Sequence, residues 1–111
     1  MNAASFAPVK ARPDPTSALI AAVRGRFSAG FHLEQVKTRA WASASFNGAR
    51  HEMTFRVEGP GAEDEIEAFL DGLAPRSIRL DGHLLADIAV TASERRPGFA
   101  RASLEVLTVD D

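Results

Sequence analysis

The 111-residue chain contains no cysteine, only two lysines and no long apolar run. Without cysteine, a disulfide framework, a thiolate nucleophile and a zinc site with cysteine ligands are all excluded. No apolar stretch of the chain approaches the ~20 residues of a membrane-spanning helix, and the N-terminus lacks the apolar segment of a signal peptide. We therefore expect a cytoplasmic protein with no membrane partner.

Basic residues are also too few for a typical nucleic-acid-binding domain. Thirteen lysines and arginines face fifteen carboxylates, which leaves a net charge of −2. A domain that binds duplex DNA usually carries a basic excess that displaces counterions from phosphates, so this balance argues against a nucleic-acid partner. The length and the composition, 45% hydrophobic and 25% charged, are those of one soluble globular domain.

Two alternating stretches dominate the middle of the chain. In residues 36–46 and again in residues 49–58, apolar and polar side chains alternate with the period of a half-buried strand. The pair Asn47-Gly48 lies between them and is the preferred sequence of a type I′ turn, which needs positive φ at both central residues. The sequence therefore predicts a β-hairpin that turns at Asn47-Gly48.

Helical spacing is found on both sides of this hairpin. A helix is predicted over residues 15–28, where Asp14 supplies the N-cap and a proline occupies the first helical position. A second helix is predicted over residues 62–73, because three carboxylates fall in its first turn and one stripe of its surface is apolar. Residues 1–13 show no periodicity and are predicted to be a flexible tail. Residues 14–111 then form one α+β domain.

Two further alternating stretches, at residues 84–93 and 99–109, complete the pattern, and the alternation of the first one places Leu84 on the side of the helices. The expected fold is an α+β two-layer sandwich, in which two helices cover one face of a four-stranded antiparallel sheet, in the order α-β-β-α-β-β. Moving the last strand to the front would give β-α-β-β-α-β, so we prefer a permuted ferredoxin-like topology over a simple meander. A change in the phase of alternation near Glu34-Gln35 predicts a β-bulge in the first strand.

The sheet face that points away from the helices carries the predicted interface. Its single tryptophan lies among arginines, and both residue types are frequent anchors of protein interfaces. The candidate interface residues are Arg39, Trp41, Arg56, Arg101 and Leu107. We expect a homodimer; the alternative is a solvated face whose acids and arginines pair across strands. One tryptophan does not make the stacking platform of a single-stranded RNA site.

A small-ligand site is the second hypothesis, and it rests on histidine, whose unperturbed pKa lies near neutrality. The candidate ligand-binding residues are Arg50, His51, His83 and Asp87. His51 falls in the inward phase of its strand, and the competing interpretation is a half-buried histidine that is satisfied by one hydrogen bond.

Neither metal-site spacing nor a catalytic motif is present in the chain. We therefore assign no catalytic residue, no metal ligand and no cofactor. The leading hypothesis is a small association module that binds a second copy through its open sheet face. The alternative is a small-ligand or metal-binding domain, of which an enzyme acting on a small metabolite is a special case.

Overall fold

The computed structural model describes residues 14–28 and 30–110, so the predicted tail, residues 1–13, lies outside the described residues. The elements, in chain order, are α1 Pro15–Arg24, β1 Phe31–Ala42, β2 Asn47–Glu58, α2 Ala62–Asp71, a 3₁₀ turn Pro75–Ser77, β3 His83–Arg96 and β4 Phe99–Asp110. The predicted α+β class and the element order α-β-β-α-β-β are confirmed.

The four strands form one antiparallel sheet in the order β1-β2-β4-β3. Strand β4 therefore lies between β2 and β3, which are parallel to each other and are joined through α2. A strand–helix–strand link of this kind crosses over the sheet and leaves room for a strand between its two ends. This is the order that the permuted ferredoxin-like topology requires, and the simple meander is wrong.

Helix α1 begins where the sequence predicts and ends earlier. The Asp14 side chain accepts a hydrogen bond from the backbone N–H of Ser17 at 2.8 Å, which confirms the predicted N-cap. The helix ends at Arg24 and not near Ser28. Glycine at position 25 is a poor helix former, and the backbone N–H of Ser28 donates to the side chain of Glu65 in α2 instead of continuing the helix.

The chain reverses between β1 and β2 at residues 43–46, and not at Asn47-Gly48. The backbone N–H of Ser43 donates to the carbonyl oxygen of Phe46 at 2.7 Å, and the Ser43 hydroxyl accepts from the N–H of Phe46 at 3.0 Å. These bonds close the loop without a type I′ turn. Asn47 and Gly48 are the first residues of β2, and Gly48 is not among the glycines with positive φ. The predicted turn is therefore wrong.

Gly48 is needed for space and not for its backbone conformation. It pairs with Trp41 across the two strands, and a Cβ at this position would lie 2.6 Å from Cζ2 of the indole and 2.1 Å from the carbonyl oxygen of Thr108. The glycine thus allows the indole to lie across β2, where any side chain would collide with it.

Two β-bulges interrupt β3, one between Leu85 and Asp87 and one between Val90 and Ala92. Each bulge adds an unpaired residue and changes the phase of alternation. The bulge between Leu85 and Asp87 turns Leu84, which the alternation places toward the helices, to the opposite face, where it is 56% exposed. The predicted orientation of Leu84 is wrong, whereas the predicted bulge in β1 is confirmed between residues 33 and 35.

The hydrophobic core lies between the helices and one face of the sheet. Four phenylalanine rings link its layers: the Phe27 ring lies 5.4 Å from that of Phe55 and 5.3 Å from that of Phe69, and Phe31 stacks on Phe55 at 5.1 Å. The largest fully buried apolar side chains around them are Leu19, Val23, Met53, Val57, Ile66, Leu104 and Val106. One face of the sheet is therefore covered, and we call the other the open face.

Candidate functional site

One end of the open face is apolar. Four residues that are neighbours across the sheet form a row there, one from each strand: Trp41, Gly48, Val109 and Leu84. We call this the tryptophan row. It lies beside the loop between β1 and β2, where the Phe46 ring is 59% exposed. Apolar side chains concentrated on an uncovered face are typical of an interaction site.

The indole of Trp41 is packed and yet incompletely satisfied. Its ring crosses Gly48, and its Nε1 is buried without a hydrogen-bond partner among the described residues. Buried indole N–H groups normally have an acceptor, so the open face differs from the usual pattern in leaving this donor unpaired.

The next row of the open face carries unbalanced charge. Its members, in sheet order, are Arg39, Arg50, Leu107 and Asp87, and we call it the arginine row. Arg50 donates to Glu105 at 3.0 Å. Arg39 and Asp87, on the two outer strands, form no ion pair with any described residue. Since Arg39 also lies directly opposite Arg50, the row brings two like charges together at one edge.

The far end of the open face is charged and internally neutralised. Glu34 accepts from Nε of Arg101 at 2.7 Å, from Nη2 of Arg101 at 3.1 Å and from Nη1 of Arg56 at 3.2 Å. Arg101 also pairs with Glu94. The Arg101 guanidinium lowers the pKa of Glu34, with a further contribution from Arg56, and the two carboxylates raise the pKa of Arg101. We call these four residues the charged network.

His51 lies on the covered face and is fully buried. Its Nε2 lies 2.9 Å from Oγ1 of Thr108, and its Nδ1 lies 3.1 Å from Oγ1 of Thr38. Thr108 donates its own proton to the carbonyl oxygen of Ala49 at 3.3 Å, so it accepts from the Nε2–H of His51. Nδ1 then accepts from Thr38, which accepts from Thr16 of α1 at 2.7 Å. A directed chain of hydrogen bonds thus joins α1 to three strands.

The surroundings of the histidine in this chain favour its neutral form. Burial lowers the pKa of His51, and His83 lowers it further, whereas the carboxylate of Asp14 acts in the opposite direction. The His83 ring itself lies 3.3 Å from the carboxylate of Asp110. Within residues 14–28 and 30–110, no three His, Cys, Asp or Glu side chains lie together as a metal site would require.

The structure brings some of the predicted site residues together and separates others. Arg39, Trp41, Arg50 and Leu107, with Ala40, line a shallow hollow of about 260 Å³ on the open face. Asp87 is in the same row as Arg50 and Leu107, whereas Arg56 and Arg101 belong to the charged network at the other end.

The four candidate ligand residues are divided between the two faces. His51 and His83 point to the covered face, and Arg50 and Asp87 point to the open face. Because successive residues of a strand point to opposite sides, Arg50 and His51 do not line one pocket.

The sequence did not reveal two sets of residues: Leu84 of the tryptophan row and the hydrogen-bond partners of His51. The exposure of Leu84 on the open face could not be predicted, because it depends on the bulge between Leu85 and Asp87 and no local sequence pattern indicates that bulge. The partners of His51 were missed because they come from α1, β1 and β4, although the alternation of β4 already places Thr108 on the same face as Val106.

Fold and surface together define the class of protein, a small α+β two-layer sandwich with one uncovered sheet face. Comparison with known proteins finds no matching protein-family model, no matching curated protein and no matching solved structure. In the part of the chain that the structure describes, neither helix has the length and apolar character needed to cross a membrane.

Proposed function

We propose that this chain is an association module that forms a homodimer through its open face, centred on the tryptophan and arginine rows. The observation that carries the proposal is the apolar tryptophan row, in which Leu84 is 56% exposed on a face that neither helix covers. Burying such side chains against a second copy removes apolar surface from water, which is the main favourable contribution to association. Trp41 supplies the kind of large anchor that concentrates binding energy in interfaces.

The open face has the area that a dimer needs. Strands β1, β2 and β4 contain twelve residues each, and β3 contains fourteen. With a rise of about 3.3 Å per residue and a strand spacing of about 4.8 Å, the face measures roughly 40 by 19 Å, or about 760 Å². A standard interface buries about 800 Å² on each partner, so the proposed contact needs the whole face, with the arginines and carboxylates of its charged end at the solvated rim.

The test is the mass of the native protein together with one matched pair of variants. Native mass spectrometry and sedimentation velocity of the unmodified chain are expected to give a dimer. Leu84→Glu places a charge on the open face and is expected to weaken dimerisation about tenfold or more. Val90→Glu is the control, because Val90 is 41% exposed on the same strand and faces the other side of the sheet. A monomer at all concentrations, or equal effects of the two variants, contradicts the proposal.

A second candidate function is the binding of a small anionic ligand in the hollow of the open face. Arg39 and Arg50 are direct neighbours on adjacent strands and line this hollow together with Trp41, and Arg50 also binds Glu105. Paired arginines match the geometry of carboxylate and phosphate groups. Titration with inorganic phosphate and with benzoate tests this candidate, because Arg39→Gln should abolish any heat of binding without unfolding the chain. No binding of either probe by the unmodified protein would contradict it.

The cytoplasm is the proposed location of the chain. Its lack of cysteine fits a reducing compartment, where disulfides do not form. Fractionation of cells that produce the tagged chain is expected to recover it with cytosolic proteins, and recovery in another fraction would contradict this assignment.

A further inference from the structure

We propose a specific register for the dimer: a two-fold axis parallel to the strands, between β2 and β4, places Arg39 opposite the partner's Asp87. This inference rests on the proposed self-association and adds the pairing of residues across the interface. Its starting point is the arginine row, in which Arg39 and Asp87 stand at opposite edges of the sheet.

Neither of these charges can be neutralised by the other within one chain. Three strand intervals separate β1 from β3, which corresponds to roughly 14 Å. Neither residue forms an ion pair in the described part of the molecule, and Arg39 lies opposite a second arginine. A monomer therefore presents a positive edge and a negative edge at the same level of the open face.

A two-fold axis between the central strands brings the opposite edges of two copies together. In an isologous interface, if residue i contacts residue j of the partner, residue j contacts residue i. With the axis parallel to the strands, β1 lies over the partner's β3 and β2 lies over the partner's β4. Arg39 then faces the partner's Asp87, Asp87 faces the partner's Arg39, and the like-charge contact with Arg50 gains a compensating carboxylate.

The tryptophan row supports the same register. Under this axis, Trp41 faces the partner's Leu84, which joins the largest side chain of the row to the most exposed one. Val109 faces the partner's Gly48, over which the indole of the partner's Trp41 lies, so the valine meets an apolar surface. Sheets that pack face to face keep their strand directions within about 30° of each other, which this axis satisfies.

The competing arrangement makes a different charge pattern. A two-fold axis perpendicular to the strands places β1 over the partner's β1. Where such an axis crosses the arginine row, it would bring Arg39 against the partner's Arg39 and Asp87 against the partner's Asp87. Like charges in contact oppose association, so at the arginine row charge favours the parallel axis. One row further along, the parallel axis places Glu52 opposite the partner's Glu105, whose charge is neutralised within its own chain by Arg50 at 3.0 Å.

Charge reversal tests the register. Arg39→Asp and Asp87→Arg are each expected to raise the dimer dissociation constant about tenfold, and the double variant is expected to restore it to within about threefold, because the pair is re-formed with its signs exchanged. Arg79→Asp and Asp71→Arg, both exposed and outside the four strands, are the control reversals and should leave dimerisation unchanged. Circular dichroism confirms that each variant is folded.

Cross-linking provides a second measurement that leaves both charges in place. The chain has no cysteine, so introduced thiols are the only ones present. In the proposed register Lys37 faces the partner's Ala89, one row further along the sheet. A mixture of Lys37→Cys and Ala89→Cys proteins should be linked by a bismaleimide of about 10 Å, the spacing of packed sheets, whereas Lys37→Cys alone should not be linked to itself.

The outcomes separate the register from the dimer itself. A dimer without rescue by the double reversal, or efficient linkage of Lys37→Cys to itself, overturns the register and leaves self-association standing. A chain that is monomeric at every concentration overturns both. Rescue together with linkage of the mixed pair establishes the parallel axis.

Discussion

The two faces of the sheet differ in how their buried polar groups are satisfied. On the covered face, both ring nitrogens of His51 have partners, and the hydrogen-bond chain ends at a backbone carbonyl. On the open face, Nε1 of Trp41 is buried without an acceptor among the described residues. An unpaired buried group costs free energy, so within one chain the open face carries a cost that the covered face does not.

The open face itself shows the same difference between its two ends. The charged network neutralises its own arginines and carboxylates, whereas the arginine row leaves Arg39 and Asp87 without partners in the described residues. A surface whose charges neutralise one another within the chain can remain in contact with water and needs no charge from a partner. The end where charge and apolar area remain unmatched is the end that a second copy would complete.

The largest expected effect on stability comes from Gly48, where the two strands and the indole meet. Gly48→Ala should lower the free energy of unfolding by about 3 kcal/mol, because the added Cβ would overlap both the Trp41 ring and a backbone carbonyl that cannot move aside. Urea denaturation measures the change. Gly72→Ala is the matched control, since a Cβ there would have 3.9 Å of clearance. If both variants lose the same stability, Gly48 has no special role.

The hydrogen-bond chain of the covered face gives the next effect. Thr108→Val keeps the shape of the side chain but leaves the Nε2–H of His51 buried without an acceptor, so stability should fall by about 2 kcal/mol. Adding His51→Leu removes the unpaired donor, and the double variant should lose less than the sum of the two single variants. A double-mutant cycle by denaturation measures the coupling. Additive losses would show that the bond does not contribute in this way.

The stability of the covered face should also depend on pH. Because the pKa of His51 is lowered in the folded protein, the unfolded chain takes up its proton first as the pH falls. The contribution of His51 is therefore complete above about pH 6.5 and is lost as the pH falls from there through the folded pKa, with a slope of at most about 1.4 kcal/mol per pH unit. Denaturation midpoints between pH 7 and pH 4 test this. His51→Leu should flatten the curve in that window, and an unchanged curve would contradict the assignment.

The smallest effect is expected at the charged network. Glu34→Gln removes the charge that holds two arginines, yet these groups are near the surface, where solvent weakens such pairs. Stability should fall by less than about 1 kcal/mol, and the dimer dissociation constant should stay within about twofold of its original value. Sedimentation of this variant beside Leu84→Glu compares the two ends of the open face directly. A large loss of dimer on Glu34→Gln would move the interface to the charged end.

The division of the sheet into two faces follows from alternation even though the turn was misplaced. The predicted turn at Asn47-Gly48 and the observed loop at residues 43–46 both pair even positions of β1 with odd positions of β2. The slip therefore moved residues along the strands and did not exchange their faces, because the side-chain period of a strand is two. In β3 the faces of the side chains could not be predicted from alternation alone. The single-residue bulge between Leu85 and Asp87 reverses the phase and turns Leu84 outward.

The amino-acid sequence alone was enough to predict the two layers of this protein. The apolar stripes of the helices and the alternation of the strands indicate which side chains face the core, because each of these periods is visible within a single helix or strand. The tertiary structure decided the loop at residues 43–46, the bulges of β3 and the partners of His51, which lie between 13 and 57 positions away in the chain. These depend on how distant strands pair and how much room Trp41 needs over Gly48. Local propensity does not contain that information, because register is settled only when the whole sheet is packed.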